Sequence, residues 1–222
     1  MAVTALSVSA PSARAGLING GFEAFGVPAG NLGFFTDTSV PGWRTTATDS
    51  QIEIWGSGFN GVPSYEGTDF AELNANQVST LYQDVAGIPA GAQVGFQFAH
   101  RGRAGVDTMR LTITDLGANG VLGGGDDTVL FTNLYSDGNT AGGFYTNPAP
   151  ITALGNNVRF AYESVSAAGG PTVGNFLDAA DFGVGVGATA VPEPSSLALL
   201  GTGLVGAVGG IRRRRGAVQA AA

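Results

Sequence analysis

Short stretches in which apolar and polar residues alternate occur along most of the chain. Alternation puts successive side chains on opposite faces of an extended backbone, so each stretch predicts a β-strand with one buried face. Clusters of glycine, proline, asparagine and aspartate separate the stretches and indicate turns. The stretches are residues 51–55, 68–74, 93–100, 108–114, 128–132 and 157–163. Many short strands separated by turns predict an all-β fold, with a single β-sandwich or jelly roll over residues 16–186.

The pattern changes near the C-terminal end, where residues 195–211 carry no charge. A helix of this length spans about 25 Å, close to the ~30 Å hydrocarbon core of a bilayer, which predicts a hydrophobic transmembrane helix. Four arginines follow it and predict a cytoplasmic tail over residues 212–222, because positively charged flanks stay inside. Residues 187–194 are then a linker, and the body lies outside the cell.

The order of features at this end resembles the PEP-CTERM sorting signal: a short proline-glutamate motif, a hydrophobic helix and an arginine cluster. The residues that carry the resemblance are Val191, Pro192, Glu193, Pro194, Arg212, Arg213, Arg214 and Arg215. The resemblance implies a Gram-negative bacterium that makes exopolysaccharide, and cleavage near Pro192–Pro194 by an exosortase. The protein would then stay in the inner membrane only transiently before reaching the cell surface or matrix. The alternative is an ordinary C-terminal anchor behind a proline-rich linker.

The first fifteen residues are small and apolar and end in Ala13-Arg14-Ala15, similar to a signal-peptidase site. They lack a basic start and a long apolar run, so we interpret residues 1–15 as a truncated signal peptide.

Composition and charge exclude several kinds of chemistry and one class of partner. The chain has no cysteine and no lysine, which excludes disulfides, thiolate metal sites and lysine Schiff bases. Residues 16–190 hold five arginines against sixteen carboxylates, a net charge of −11. Such an acidic body repels phosphate, so nucleic acid is excluded as a partner.

Three segments of the body resemble galactose-binding-like and carbohydrate-binding jelly rolls: residues 16–23 as the first strand, 40–43 as the entry to the second, and 174–182 as the closing strand. The resemblance implies a jelly-roll fold. It also implies a structural calcium ion that joins the first and last strands through Glu23 and Asp178. The alternative for both residues is a solvated carboxylate.

A second calcium candidate is the glycine-rich stretch after residue 114. Asp115, Asn119, Gly120 and Asp126 fall on ligand and turn positions of an EF-hand loop. Gly117 replaces an acidic ligand, however, and the flanking segments are predicted strands. The alternative is a glycine-rich hairpin without an ion.

Sugar binding requires exposed aromatic rings beside hydrogen-bonding groups. Trp55, Phe59 and Tyr65 lie in a glycine-rich stretch and are the candidate contact residues, whereas Trp43 is expected in the core. The acidic body favours a neutral or weakly acidic polymer. The alternative is that Trp55 and Phe59 plug the end of the sandwich.

No catalytic motif stands out. His100 is the single histidine, and no G-x-S-x-G motif accompanies it. We interpret His100 as a strand-end residue, with Arg101 and Arg103 pairing with acids such as Glu72 or Asp107. The sequence therefore predicts a non-enzymatic exported protein that associates with exopolysaccharide. The alternative is a secreted glycan-active enzyme with a carboxylate pair.

Overall fold

The computed structural model describes residues 16–186, and in this part of the chain strands and turns form nearly all of the regular structure. Two 3₁₀ turns, Asp37–Ser39 and Phe59–Gly61, accompany the strands. The strands are β1 Leu32–Thr36, β2 Arg44–Thr45, β3 Gln51–Gly56, β4 Asp69–Glu72, β5 Thr80–Val85, β6 Gln93–Arg101, β7 Asp107–Asp115, β8 Thr128–Asp137, β9 Gly143–Thr146, β10 Ile151–Thr152, β11 Val158–Ser166 and β12 Phe176–Val184. The predicted all-β fold is confirmed, and each of the six alternating stretches contains a strand.

Two antiparallel sheets pack face to face. The large sheet has the order β1-β3-β4-β12-β6-β10, with β9 also paired to β6. The small sheet has the order β2-β5-β11-β7-β8. Side chains of alternate residues meet between them in one apolar core, which includes Phe96 and Phe98 of β6, Leu111 of β7 and Phe160 of β11. The architecture is a β-sandwich, as the sequence predicts.

The outer face of the large sheet, turned away from the small sheet, also carries large side chains. Glu53, Glu72, Phe176 and Arg101 lie side by side across four neighbouring strands. Residues 57–68, which we name the covering loop, fold over this face and close at their base, where the Ser57 N–H donates to the Thr68 carbonyl (2.7 Å). A second, smaller apolar cluster forms beneath the loop. The outer face is therefore partly buried by the chain itself.

The predicted first strand is wrong in its conformation. Within residues 16–23 only Gly16 forms a β-bridge, to Gly183, and Phe22 adopts a left-handed backbone with φ 61°. The segment turns because the Phe22 ring inserts into the core and stacks on Trp43 at 4.9 Å. The Trp43 indole N–H also donates to the Asn19 carbonyl at 2.8 Å. The segment still lies beside β12, and Trp43 is fully buried, as expected.

The predicted hairpin is confirmed, since β7 and β8 pair in antiparallel register around the glycine-rich stretch. No helix in residues 16–186 is long and apolar enough to cross a membrane. The predicted signal peptide, the linker, the transmembrane helix of residues 195–211 and the arginine tail lie outside the described residues.

Candidate functional site

The three candidate sugar-contact residues divide into two groups. Trp55 is fully buried beneath the covering loop, with its ring 4.7 Å from both Phe59 and Phe176. Its indole N–H donates to Glu53 Oε1 at 2.8 Å, and the Arg103 guanidinium covers its ring at 4.7 Å. The burial of Trp55 contradicts its predicted role as an exposed contact residue. Phe59 is only partly buried and packs against the same cluster, so a contact role for Phe59 stays a prediction. The burial of Trp55 favours the alternative, a plug, although the ring lies under the covering loop on the outer face of the large sheet.

Tyr65, by contrast, is 59% exposed at the far end of the covering loop. Its ring lies 5.1 Å from that of Phe144, and the two planes differ by only 4°. Phe144 belongs to β9 and lies opposite Ala99 of β6, and it is 43% exposed. Two parallel aromatic rings thus face solvent on the outer face of the large sheet. We name Tyr65 and Phe144 the aromatic pair.

Sequence reasoning missed Phe144 because β9 is a four-residue strand that follows a glycine-rich turn. Only the pairing of β9 with β6 brings it to Tyr65, which is 79 positions away. An isolated phenylalanine beside glycines gives no local signal for such a contact.

A cavity of about 150 Å³ opens beside the aromatic pair. Its walls come from the covering loop, the end of β6, the turn before β9 and the start of β12. The polar residues among those that line it are Ser64, His100, Arg101 and Asp178. An apolar platform next to a small polar cavity has the composition of a ligand-binding site.

Asp178 holds the covering loop against the sheet. Its Oδ2 accepts the backbone N–H groups of Tyr65 (2.7 Å) and Glu66 (3.1 Å), and its Oδ1 accepts that of Ala179 (2.7 Å). Burial raises the pKa of Asp178 to about 7, although the backbone hydrogen bonds oppose this shift. Asp178 therefore fixes the position of the exposed tyrosine.

His100 has a structural role beside the cavity, where its fully buried side chain points toward the small sheet. Its Nδ1 lies 2.7 Å from Asp137 Oδ2, and its Nε2 lies 2.9 Å from Asn175 Oδ1. The Asn175 amide nitrogen donates to the Ser166 carbonyl, which fixes the amide oxygen toward His100. The Tyr145 hydroxyl donates to the same aspartate. Because both ring nitrogens are occupied, His100 links β6 to β8 and the start of β12.

The carboxylates of the outer face are engaged in the fold. Arg103 Nη1 lies 2.9 Å from both oxygens of Glu72, and the Arg103 backbone N–H donates to Asp107, which confirms the expected pairing for Arg103. The same expectation is wrong for Arg101, whose guanidinium donates to the Asn139 carbonyl. Glu53 lies directly opposite Glu72. Burial, and then repulsion from Glu72, raise the pKa of Glu53 to about 7. Within the described residues, this pair lies under Trp55 and Arg103 and does not line the cavity.

Glu23 and Asp178, the first calcium candidates, anchor opposite ends of the same segment. Glu23 accepts the backbone N–H groups of Thr68 (2.8 Å) and Asp69 (2.9 Å), just as Asp178 accepts those of Tyr65 and Glu66. No group of three or more histidine, cysteine, aspartate or glutamate residues in residues 16–186 has the arrangement of a metal site.

The second calcium candidates lie in the β7–β8 turn. Asp115 accepts the Gly117 N–H (3.0 Å) and the Asn156 side-chain amide (2.9 Å). Asp126 accepts the Ala118 N–H (2.8 Å) and the side-chain amide of Asn119. These contacts order the turn, and calcium at either place stays a prediction.

Comparison with known proteins supports the sequence interpretation at the C-terminal end. Residues 190–215 match the family model of the PEP-CTERM protein-sorting motif, so this chain carries that motif, which implies an exported protein. No curated protein matches the chain.

Solved structures similar to the body are mostly carbohydrate-binding modules. TmCBM61, solved with β-1,4-galactotriose, is 17% identical with a TM-score of 0.46, and the match covers 77% of this chain and 98% of that one. The C-terminal family 22 carbohydrate-binding module of Clostridium thermocellum Xyn10B is 13% identical with a TM-score of 0.47 and the same coverages. The K2 cleaved adhesin domain of Lys-gingipain is 15% identical with a TM-score of 0.41, and the match covers 68% and 99% of the two chains.

We predict that the stability of the body falls as the pH rises from about 4.5 to 7. The folded state holds protons on Glu53 and Asp178 in this range, whereas the unfolded chain releases them. The raised pKa of Glu53 alone should change the free energy of unfolding by roughly 3 kcal/mol at most across this range, because each pKa unit corresponds to about 1.4 kcal/mol. Urea unfolding across this range measures the slope for the wild type and for Glu53→Gln, which keeps an acceptor for Trp55. Glu53→Gln should flatten the slope, and identical slopes would contradict the prediction.

The calcium hypothesis predicts that chelation lowers the melting temperature and that calcium, but not sodium, restores it. An ion that binds only the folded state stabilises it by about 2.7 kcal/mol at a hundredfold excess over its Kd. Asp115→Ala is the matched variant for the turn, because it leaves Glu23 and Asp178 intact. Loss of the calcium response in that variant would place the ion in the turn, and equal melting of the wild type with and without chelator would remove both sites.

Proposed function

We propose that this protein is a non-catalytic glycan-binding protein and that its binding surface is the aromatic pair with the adjoining cavity. The observation that carries the proposal is the parallel, stacked and exposed arrangement of Tyr65 and Phe144 beside polar groups. Flat aromatic faces suit the C–H groups of sugar rings, whereas polar side chains suit the hydroxyls.

Preorganisation strengthens this surface. Tyr65 stacks on Phe144 before any ligand arrives, and Asp178 fixes its backbone. A ring that is already held in place loses less conformational freedom on binding than a free one. The site therefore gains affinity from the same contacts that close the loop.

The second function class, a glycan-active enzyme with a carboxylate pair, has less support. Glycoside hydrolysis of the usual kind requires two carboxyl groups on either side of the scissile bond. Among the described residues, Asp178 is the single carboxylate that lines the cavity, and the Glu53–Glu72 pair lies beneath the loop. This arrangement favours binding over hydrolysis.

The proposal also includes export of the chain and cleavage of its C-terminal sorting signal. The sorting motif at residues 190–215 supports passage through the cell envelope. In our proposal an exosortase cleaves the chain near Pro192–Pro194 while residues 195–211 lie in the inner membrane. The released body then associates with exopolysaccharide at the surface of a Gram-negative cell.

Truncation of either ring of the aromatic pair should weaken glycan binding with little loss of stability. We predict that Tyr65→Ala and Phe144→Ala each lower retention at least about tenfold in affinity electrophoresis with the host's exopolysaccharide, because each removes half of the platform. Phe34→Ala is the matched control, since Phe34 is 46% exposed on β1, away from the cavity. Trp55→Ala should instead destabilise the body by about 3–5 kcal/mol, as buried aromatics do. Equal retention of wild type and both ring variants would contradict the proposed site.

Processing predicts that the mature protein lacks the residues beyond about Pro194. Mass spectrometry of protein extracted from the cell surface measures the C-terminal peptide directly. A peptide that still contains Arg212–Arg215 on the mature protein would exclude cleavage. Replacement of the four arginines by glutamine should impair membrane orientation, because it removes the cytoplasmic charge block.

A further inference from the structure

Arg101 is a cation at the candidate site without a carboxylate partner. Of the five arginines in residues 16–186, Arg103, Arg110 and Arg159 form ion pairs within 2.9 Å, with Glu72, Glu163 and Asp84 respectively. No carboxylate within the described part of the chain pairs with Arg101, although the body is strongly acidic. Arg101 lines the same cavity as Tyr65.

The orientation of this guanidinium is already fixed. Its Nε donates to the Asn139 carbonyl at 3.0 Å, and its Nη2 donates to the same oxygen. A guanidinium carries five N–H groups in a rigid plane, so one edge is used and the edge formed by Nη1 and Nη2 keeps two parallel N–H groups. That edge has the geometry that binds the two oxygens of a carboxylate.

Arg101 also lies on the same face of the large sheet as the aromatic pair. It lies two residues after Ala99 on β6, and Ala99 lies opposite Phe144. Residues two apart in a strand point to the same face about 7 Å apart, since the rise is about 3.3 Å per residue. Arg101 therefore projects from the same face of β6 as Ala99, the residue that pairs with Phe144.

We propose that the site binds an acidic glycan and that Arg101 binds the carboxylate of a uronic-acid residue while the aromatic pair contacts the sugar ring. This inference rests on the proposed function. It refines the expectation from net charge, because a body that repels polyanions needs a local cation to accept one. Asp178, the carboxylate in the cavity, opposes an anion weakly, because three backbone N–H groups already contact it.

The test compares charged and uncharged forms of the same sugars. Binding of the full chain is measured for oligomers of galacturonate, mannuronate and glucuronate, each beside its methyl ester, with neutral galactan and sulfated galactan as further ligands. The acid form of at least one oligomer should bind about tenfold to a hundredfold more tightly than its ester, as expected for a hydrogen bond between charged groups.

Arg101→Gln should abolish the preference for the acid, and Arg101→Lys should keep only part of it, because lysine lacks the planar pair of donors. Arg44→Gln is the matched control, since Arg44 also lacks a carboxylate partner in residues 16–186 but lies on β2 of the small sheet. Melting temperatures of the variants separate loss of binding from loss of fold, and the comparison of acid with ester needs no variant.

The outcomes separate this inference from the function on which it rests. Equal binding of acid and ester, with neutral glycans still bound through Tyr65, would overturn the uronate assignment and leave glycan binding intact. Preference for the sulfated galactan over every uronate would also overturn it. Retention of none of these ligands would overturn both proposals.

Discussion

The attachment of the covering loop to the large sheet is the interaction on which the rest of the structure depends. Backbone N–H groups in a loop that lies on a sheet lose water and need acceptors. Two carboxylates supply them: Glu23 accepts from Thr68 and Asp69, and Asp178 accepts from Tyr65 and Glu66. Without these acceptors the buried N–H groups would be unpaired, and the loop would not be stable over the outer face.

The attached loop divides the aromatic side chains into two sets with different roles. Trp55, Phe70 and Phe176 lie beneath it and form a small apolar cluster outside the main core. Tyr65 lies at its end and meets Phe144 in the open. The loop thus stabilises the outer face and presents a platform at the same time, so stability and binding share one set of contacts. This attachment costs free energy because the Asp178 carboxylate is buried away from water, which also raises its pKa to about 7.

Local pattern predicted the strands, and in β7 and β11 of the small sheet the alternation reflects one face buried over a single core. In β3 and β6 of the large sheet the pattern predicted the strand but not the burial of its second face. It failed where tertiary packing overrides local preference. The segment before Glu23 turns so that Phe22 can reach Trp43, which alternation does not encode. Trp55 has polar and glycine neighbours typical of an exposed loop, yet its outer face is covered by a segment that closes over it. Phe144 gave no signal at all, since its partner is distant in sequence.

The central claim is that the loop-bearing outer face of the large sheet binds glycan. The most direct test is to titrate the ¹⁵N-labelled chain with an oligosaccharide that it binds and to measure the amide chemical shifts at each step. The account predicts that the largest shift changes fall on Tyr65, Glu66 and Phe144, with small changes on the exposed face of the small sheet around Tyr82 and Arg159. Changes concentrated on the small sheet, with Tyr65 and Phe144 unmoved, would contradict it.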